Sequence, residues 1–496
     1  MTLIMNQLLV LIALLLGFVV VSVLVSVLLL PPIPVPVGSI PSNNLDINLF
    51  GLTSPNGVAT AARCLSRCLE EPIVLLSKPD NTLPNPHHVF DISVNNADQT
   101  PQLLKFIGKL NRFYNHRNIF SDHYRIGVWH WETSSLPLEQ GKYGSYYNEL
   151  WVPSRYIADA ILSTSTFPST TRVFVLPYGF ENELPPVTDN LRRIGREQIS
   201  KLTDEGIWSS VDSTSNMRQL GSSDSTIFLV AMDFLSDHNR KNILGSYDAF
   251  VKAFPLGERN DLALVIKTVN HKHTAVSENV ELIKSFFALK NDPRVHFISK
   301  HLSFEDLFSI KYGVDCYISL HRSEGWGFNL FEAILMGIPV IASAYGGSEQ
   351  FMKPLYSQVE ELRVPAKHSK ISKSFMNAYT TDMYWGEPDV EAAATALRLL
   401  EGNTTYYRQA AVGIRSKALD LFSRERLGQA MKDRLSLVFN CACLLLNSKA
   451  AVAIKDIQVF REKCMVYPPA ELSAEVSSLD LSVDYCKNKV LGYRQY

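Results

Sequence analysis

The chain is 496 residues long, with 48 basic against 49 acidic residues and a formal net charge of −1. So even a balance excludes a global field of the kind that gathers nucleic acid, and any anionic ligand has to be held by local charge. Seven cysteines, an odd number without a CxxC pair, exclude a zinc site built on that motif and a complete disulfide framework; Cys316, inside an apolar run, reads as a small buried hydrophobe, and room is left for one bridge in the tail.

The first element is apolar. From Leu8 to Leu30 the chain runs 23 residues without a charge, and as a helix of about 34 Å this segment spans a bilayer core. A secretory signal would carry a positive n-region, a shorter apolar core and a small-residue cleavage site, none of which stands here. Residues 1–30 are therefore expected to form a single-pass anchor. Pro31 and Pro32 stop the helix, and PPIPVPVGSIPSNN at 31–44 makes a stiff extended stalk. No Lys or Arg occurs before Arg63, so charge does not set the orientation in the membrane.

Past the stalk, Asp46 to Leu52 alternates like a strand and leads through a loop with Gly51 and Gly57 into an amphipathic helix. Strands follow at 73–77, 88–94, 124–132 and 172–177, with helices near 101–112 and 154–163. Repeated strand and helix predict a parallel sheet covered on both faces, an N-terminal domain over 45–223. Its last stretch, Phe180 to Asp224, is polar and Ser/Thr-rich without a periodic apolar face, and reads as the inter-domain connection. Alternation resumes with strands at 227–232, 262–267 and 295–299 and helices at 241–254, 279–288 and 303–311. Helices at 389–401, 405–422 and 424–438 close this second doubly wound domain, 224–440, before a tail at 441–496.

At the centre of the second domain lies DCYISLHRSEGWGFNLFEAILMGIPVIASAYGG: a buried strand, a glycine-bearing loop, an amphipathic helix from Phe328 to Met336 and a second buried strand. Glu324 falls in the loop and Glu332 about one turn into the helix. Ligands of open parallel sheets bind at the carboxyl ends of strands, and helix N-termini present unpaired N–H groups to anions, so this loop is where chemistry is expected.

That E-x7-E pair, with DFLSDHNRKNILGSYDAFVKAF at 233–254, IGVWHWE at 126–132 and LWVPSRYIADAI at 150–161, resembles the retaining glycosyltransferases of family 4 (glycosyl transferases group 1). The resemblance implies the GT-B fold, two Rossmann-like doubly wound α/β domains facing a cleft. It implies a nucleotide-sugar donor, GDP-mannose or a UDP-sugar, and a glycan or lipid-linked acceptor. Glu332 would take the ribose diol and Glu324 the donor sugar, since a carboxylate accepts two hydrogen bonds from vicinal hydroxyls. Gly325 and Gly327 let backbone approach the ligand, and the N–H groups around Trp326, Phe328 and Asn329 suit a diphosphate. In the family an Arg and a Lys about five residues apart neutralise the leaving group. Lys241 matches the Lys, Ser236 stands where the Arg is expected, and Arg240 is the substitute, with Lys267 as a third cation. His130, between Trp129 and Trp131, is the candidate for contact with the transferred sugar or for proton removal, and Gly57 marks the acceptor-side loop. No Asp-x-Asp occurs, so no metal and no cofactor is expected. The sequon Asn403-Thr404-Thr405 leans towards a lumenal compartment, Golgi or endoplasmic reticulum in a eukaryotic cell. The rival readings are a nucleotide-sugar epimerase or hydrolase on the same fold and a non-catalytic GT-B scaffold subunit.

Overall fold

A computed structural model describes residues 47–51, 57–70, 73–75, 90–96, 99–100, 124–180, 184–203, 225–372 and 379–447. The expected anchor, the stalk, the helix near 101–112 and the tail beyond 447 lie outside the described residues. Among the described residues no helix is long and apolar enough to cross a membrane.

Two six-stranded parallel sheets organise the chain. The first contains β1 (Ile47–Gly51), β2 (Ile73–Leu75), β3 (Phe90–Asn96), β4 (Tyr124–His130), β5 (Glu149–Val152) and β6 (Arg172–Val175) in the order β2-β1-β3-β4-β5-β6. The second contains β7 (Thr226–Asp233), β8 (Leu262–Val269), β9 (Val295–Ile298), β10 (Cys316–Ser319), β11 (Val340–Ser343) and β12 (Arg363–Val364) in the order β12-β11-β10-β7-β8-β9. Strands such as β8, buried along nearly their whole length, are covered on both faces, which is why they read as unbroken apolar runs. In the second sheet the chain runs outward from β7 to β9 and then returns to place β10 on the other side of β7. A crevice opens where the order reverses, at the carboxyl ends of β7 and β10.

The described helices are α1 (Gly57–Leu69), α2 (Arg155–Ser163), α3 (Asp189–Leu202), α4 (His238–Lys241), α5 (Ile243–Ala253), α6 (Ser277–Lys290), α7 (Phe304–Tyr312), α8 (Phe328–Met336), α9 (Glu349–Leu355), α10 (Val390–Gly402), α11 (Thr404–Leu421) and α12 (Arg424–Asn447), beside one helical turn at Leu138–Gly141.

Besides β5, β12 and α9, which it did not assign, three features depart from the sequence reading. Helix α3 occupies the stretch expected to carry no periodic face. Its buried residues are Gly195, Arg196 and Ile199, with Leu191 and Leu202 packed against the core on the same side. Gly195 crosses Gly313 at the end of α7 so closely that a Cβ on it would lie 2.3 Å from Ser309 O. Arg192 and Arg196 then reach Asp315, at 2.7 and 2.9 Å, and Arg408 from α11 joins the same carboxylate. Helix α12, expected to close the second domain, instead crosses back to the first. It packs on α1, and Arg434 Nη2 lies 2.6 Å from Glu149 Oε2 at the head of β5. Between β12 and α10 an unexpected antiparallel hairpin, β13 (Ala366–Lys370) with β14 (Tyr384–Pro388), leans on the first domain, where Ser134 N donates to Tyr384 O at 3.2 Å.

Candidate active site

The loop between β10 and α8 sits at the switch-point crevice. Gly327 opens α8 with φ +90° and no capping side chain, so the first N–H groups of this nine-residue helix are not capped by a side chain. Glycine is required at Gly325 and at Gly347, which meet beside Glu324. A Cβ on Gly347 would lie 1.7 Å from Gly325 O, and a Cβ on Gly325 would lie 2.5 Å from Trp131 O at the end of β4. The second contact brings the carboxyl ends of the two sheets together, and Ser154 Oγ reinforces it by donating to Gly325 O at 3.0 Å.

Two cations converge on Glu324. Asp237 caps α4, accepting from Asn239 N at 2.8 Å and Arg240 N at 3.2 Å. Asn242 ends the helix after one turn by taking a left-handed conformation, φ 53°, and ties it to the end of β10 through Nδ2 to Leu320 O, 2.8 Å. From this one-turn helix the two adjacent side chains reach the same carboxylate. Arg240 Nη1 lies 3.2 Å from Glu324 Oε2 and donates to Ser323 O at 2.9 Å, while Lys241 Nζ pairs with Glu324 Oε1. Arg240 Nη2 also lies 3.9 Å from Glu132 Oε1 in the first domain. Burial alone would raise the Glu324 carboxyl, but the charges of Lys241 and Arg240 outweigh it and hold the group down at about 2.

One turn into α8, Glu332 Oε2 pairs with Lys311 from α7, and Lys311 also donates to Asn329 Oδ1 at 3.1 Å. Lys311 was not singled out in the sequence, where it is a lone basic residue in the last turn of a helix. Glu332 and Phe328 line a pocket between the domains whose opposite wall is Thr60, Cys64 and Phe180. The Trp326 indole faces the core, against Phe331, Phe351 and Phe422, so this residue offers a ligand its backbone only. Lys267 is held by backbone carbonyls. Its buried ammonium donates to Thr268 O at 2.6 Å and Lys300 O at 2.8 Å, stapling the ends of β8 and β9.

On the facing domain, His130 ends β4 and its Nε2 is 2.6 Å from Tyr178 Oη. Tyr178 is buried between the domains, stacked on His130 at 5.6 Å and on Phe328 at 5.4 Å between ring centroids. Glu132 accepts from Tyr379 Oη at 3.4 Å. Neither tyrosine carried a sequence signal, since both lie outside any motif. Gly57 is the first residue of α1, and the loop before it, 52–56, lies outside the described residues. His321 is fully buried, its ring nitrogens facing Ser319, Tyr345 and Ser348, and burial pushes it down to about 4, so it is a neutral brace under the loop. Among the described residues no three His, Cys, Asp or Glu side chains are grouped to hold a metal ion.

Residues 215–361 match the family model described as glycosyl transferases group 1, a segment that contains Arg240, Lys241, Lys267 and the whole stretch from Gly325 to Glu332. The resemblance of the E-x7-E region to glycosyl transferases group 1 is borne out there. No curated protein matches the chain in sequence. Among solved structures the chain is similar to HepE of Anabaena in complex with UDP and glucose, at 13% identity and a TM-score of 0.50, covering 79% of this chain and 100% of that one. The same protein in complex with UDP gives 14% identity and a TM-score of 0.50, with 79% and 99% covered. At that identity the likeness concerns the fold, two parallel-sheet domains about a cleft in the GT-B arrangement.

Proposed function

We propose that the chain is a membrane-anchored retaining glycosyltransferase that moves a sugar from a nucleoside-diphosphate donor to a glycan or lipid-linked acceptor. The observation that carries this reading is the convergence of Arg240 and Lys241 on Glu324 beside the uncapped start of α8. A diphosphate needs fixed positive charge and backbone N–H groups, a sugar needs a carboxylate, and all three meet in one crevice. The family match over 215–361 supports the class of reaction.

In this reading Arg240 and Lys241 turn from Glu324 to the diphosphate as the donor enters, and the released carboxylate accepts hydrogen bonds from the sugar's hydroxyls. The acceptor oxygen attacks the anomeric carbon as the bond to the leaving phosphate oxygen breaks. Its proton passes to that phosphate oxygen on the same face, which preserves the anomeric configuration without a separate base. Arg240 and Lys241 supply the charge that a metal supplies in other transferases. His130, held by Tyr178, and Glu132 border the acceptor side. UDP, bound by HepE, is the first candidate for the nucleotide and GDP the second. Anchoring through residues 8–30 places the reaction at a membrane, in the Golgi or endoplasmic reticulum of a eukaryotic cell.

Thermal unfolding in a panel of UDP, GDP, ADP, CDP and TDP tests the reading. A shift of several degrees with one member supports it, and no shift with any member contradicts it.

A further inference from the structure

Lys311 is almost completely enclosed, with 1% of its side chain exposed, although it belongs to α7 and not to the loop or helix of the E-x7-E segment. A charge so placed is tolerated only when paired and hydrogen-bonded. Its partners are two residues of α8 that stand three apart and so share one face: Glu332 through Oε2, and Asn329 through Oδ1 at 3.1 Å. The ammonium also lies over the Phe308 ring, 5.8 Å from its centroid, in a residue that lines the same inter-domain pocket as Glu332.

We infer that Lys311 is a positioning residue for the donor's ribose. Resting on the proposed function, this assigns the recognition of the diol to a Lys311–Glu332 unit and not to Glu332 alone. The physical argument is one of orientation. A glutamate side chain has three rotatable bonds, and Glu332 is 23% exposed, so packing alone leaves it several rotamers. Lys311 holds Oε2, which leaves Oε1 as the remaining acceptor of a residue that lines the pocket. Asn329 is held by the same ammonium, so the first turn of α8, where the diphosphate binds in this reading, and the ribose carboxylate one turn on are fixed by one buried charge. A lysine suits this better than an arginine, because a compact ammonium donates to two oxygens from one point, whereas a planar guanidinium would occupy both carboxylate oxygens at once.

The test compares binding of UDP and GDP with that of their 2′,3′-dideoxy analogues by isothermal titration calorimetry, on the unmodified protein, Lys311→Met, Lys311→Arg and the double variant Lys311→Met/Glu332→Gln. The unmodified protein is expected to prefer the ribose form of its nucleotide by roughly 10- to 100-fold, as for a hydroxyl bonded to a carboxylate. Lys311→Met should reduce that preference to within about threefold, with the dideoxy analogue bound as before. Lys311→Arg should restore only part of it. The double variant removes the unpaired carboxylate and guards against simple misfolding; it should keep dideoxy binding and show no ribose preference. In turnover, Lys311→Met should raise donor KM with kcat nearly unchanged, a split that a merely structural role would not produce. If Lys311→Met keeps the full ribose preference, or loses the dideoxy analogue equally, the inference is overturned while the proposed function stands. If no nucleoside diphosphate of the panel binds the unmodified protein, both fall.

Discussion

The Arg240 guanidinium lies 3.2 Å from the Glu324 carboxylate, whose other oxygen is held by Lys241, so the groups meant for a diphosphate and for a sugar neutralise each other. A ligand therefore competes with Glu324 for both cations. Glu324→Gln should bind nucleoside diphosphate as tightly as the unmodified protein or more tightly, because the competing charge is gone, while sugar transfer falls about 100-fold or more with the loss of a carboxylate aimed at the reacting sugar. Calorimetry beside a turnover assay checks both halves. Full turnover in this variant would remove Glu324 from the chemistry.

Acid should expose the same cluster. Burial would raise the Glu324 carboxyl, yet Lys241 and Arg240 hold it at about 2, below its ordinary value of 4.5. A depressed value means that the contribution to stability is complete above about pH 4.5 and is lost as pH falls through 2, amounting at most to about 3 kcal/mol. Urea unfolding at several pH values should show Glu324→Gln losing that part of the slope. Parallel curves for the two proteins would contradict the assignment.

Arg434 on α12 and Glu149 on β5 join the last described helix to the first sheet. Glu149 is fully buried and also accepts from Trp151 Nε1 at 2.7 Å and Tyr124 Oη at 3.2 Å. Arg434→Met leaves that carboxylate without its counter-charge and should cost about 3–5 kcal/mol in denaturant unfolding. A loss below about 1 kcal/mol would mean that α12 is only loosely docked.

Asp315, 1% exposed, holds Arg192, Arg196 and Arg408 and accepts from Ile227 N at 2.8 Å. Asp315→Asn should free α3 from the second sheet, which limited proteolysis reads as earlier cleavage within 189–203. Unchanged protection would show that the Gly195–Gly313 crossing alone suffices.

Gly347→Ala places a methyl group where Gly325 O stands. The loop must move, at a cost of about 1–3 kcal/mol, and nucleotide binding should weaken more than stability does. Calorimetry and thermal unfolding of the same variant separate the two.

Much of this was legible in the sequence because parallel strands and the E-x7-E helix are apolar runs with glycine punctuation. What escaped has a common physical cause: burial achieved by polar side chains. β5 opens on the buried Glu149, α3 buries Arg196, and Lys311 is buried near the end of α7. The direction of a side chain also escaped. Sequence could not tell that Arg240 and Lys241 would reach the same carboxylate, that Lys267 would turn to carbonyls, or that Trp326 would face the core. The path of α12 is set by the Arg434–Glu149 pair, between residues far apart in the chain, and no local period records it.

The most direct test of the central claim is calorimetric titration of UDP and GDP into the unmodified protein and into Arg240→Met/Lys241→Met. Saturable binding of one nucleotide, weakened at least about 10-fold in the double variant, is the predicted result. Equal binding by both proteins, or no binding of any nucleoside diphosphate by the unmodified one, would contradict a donor site at Glu324.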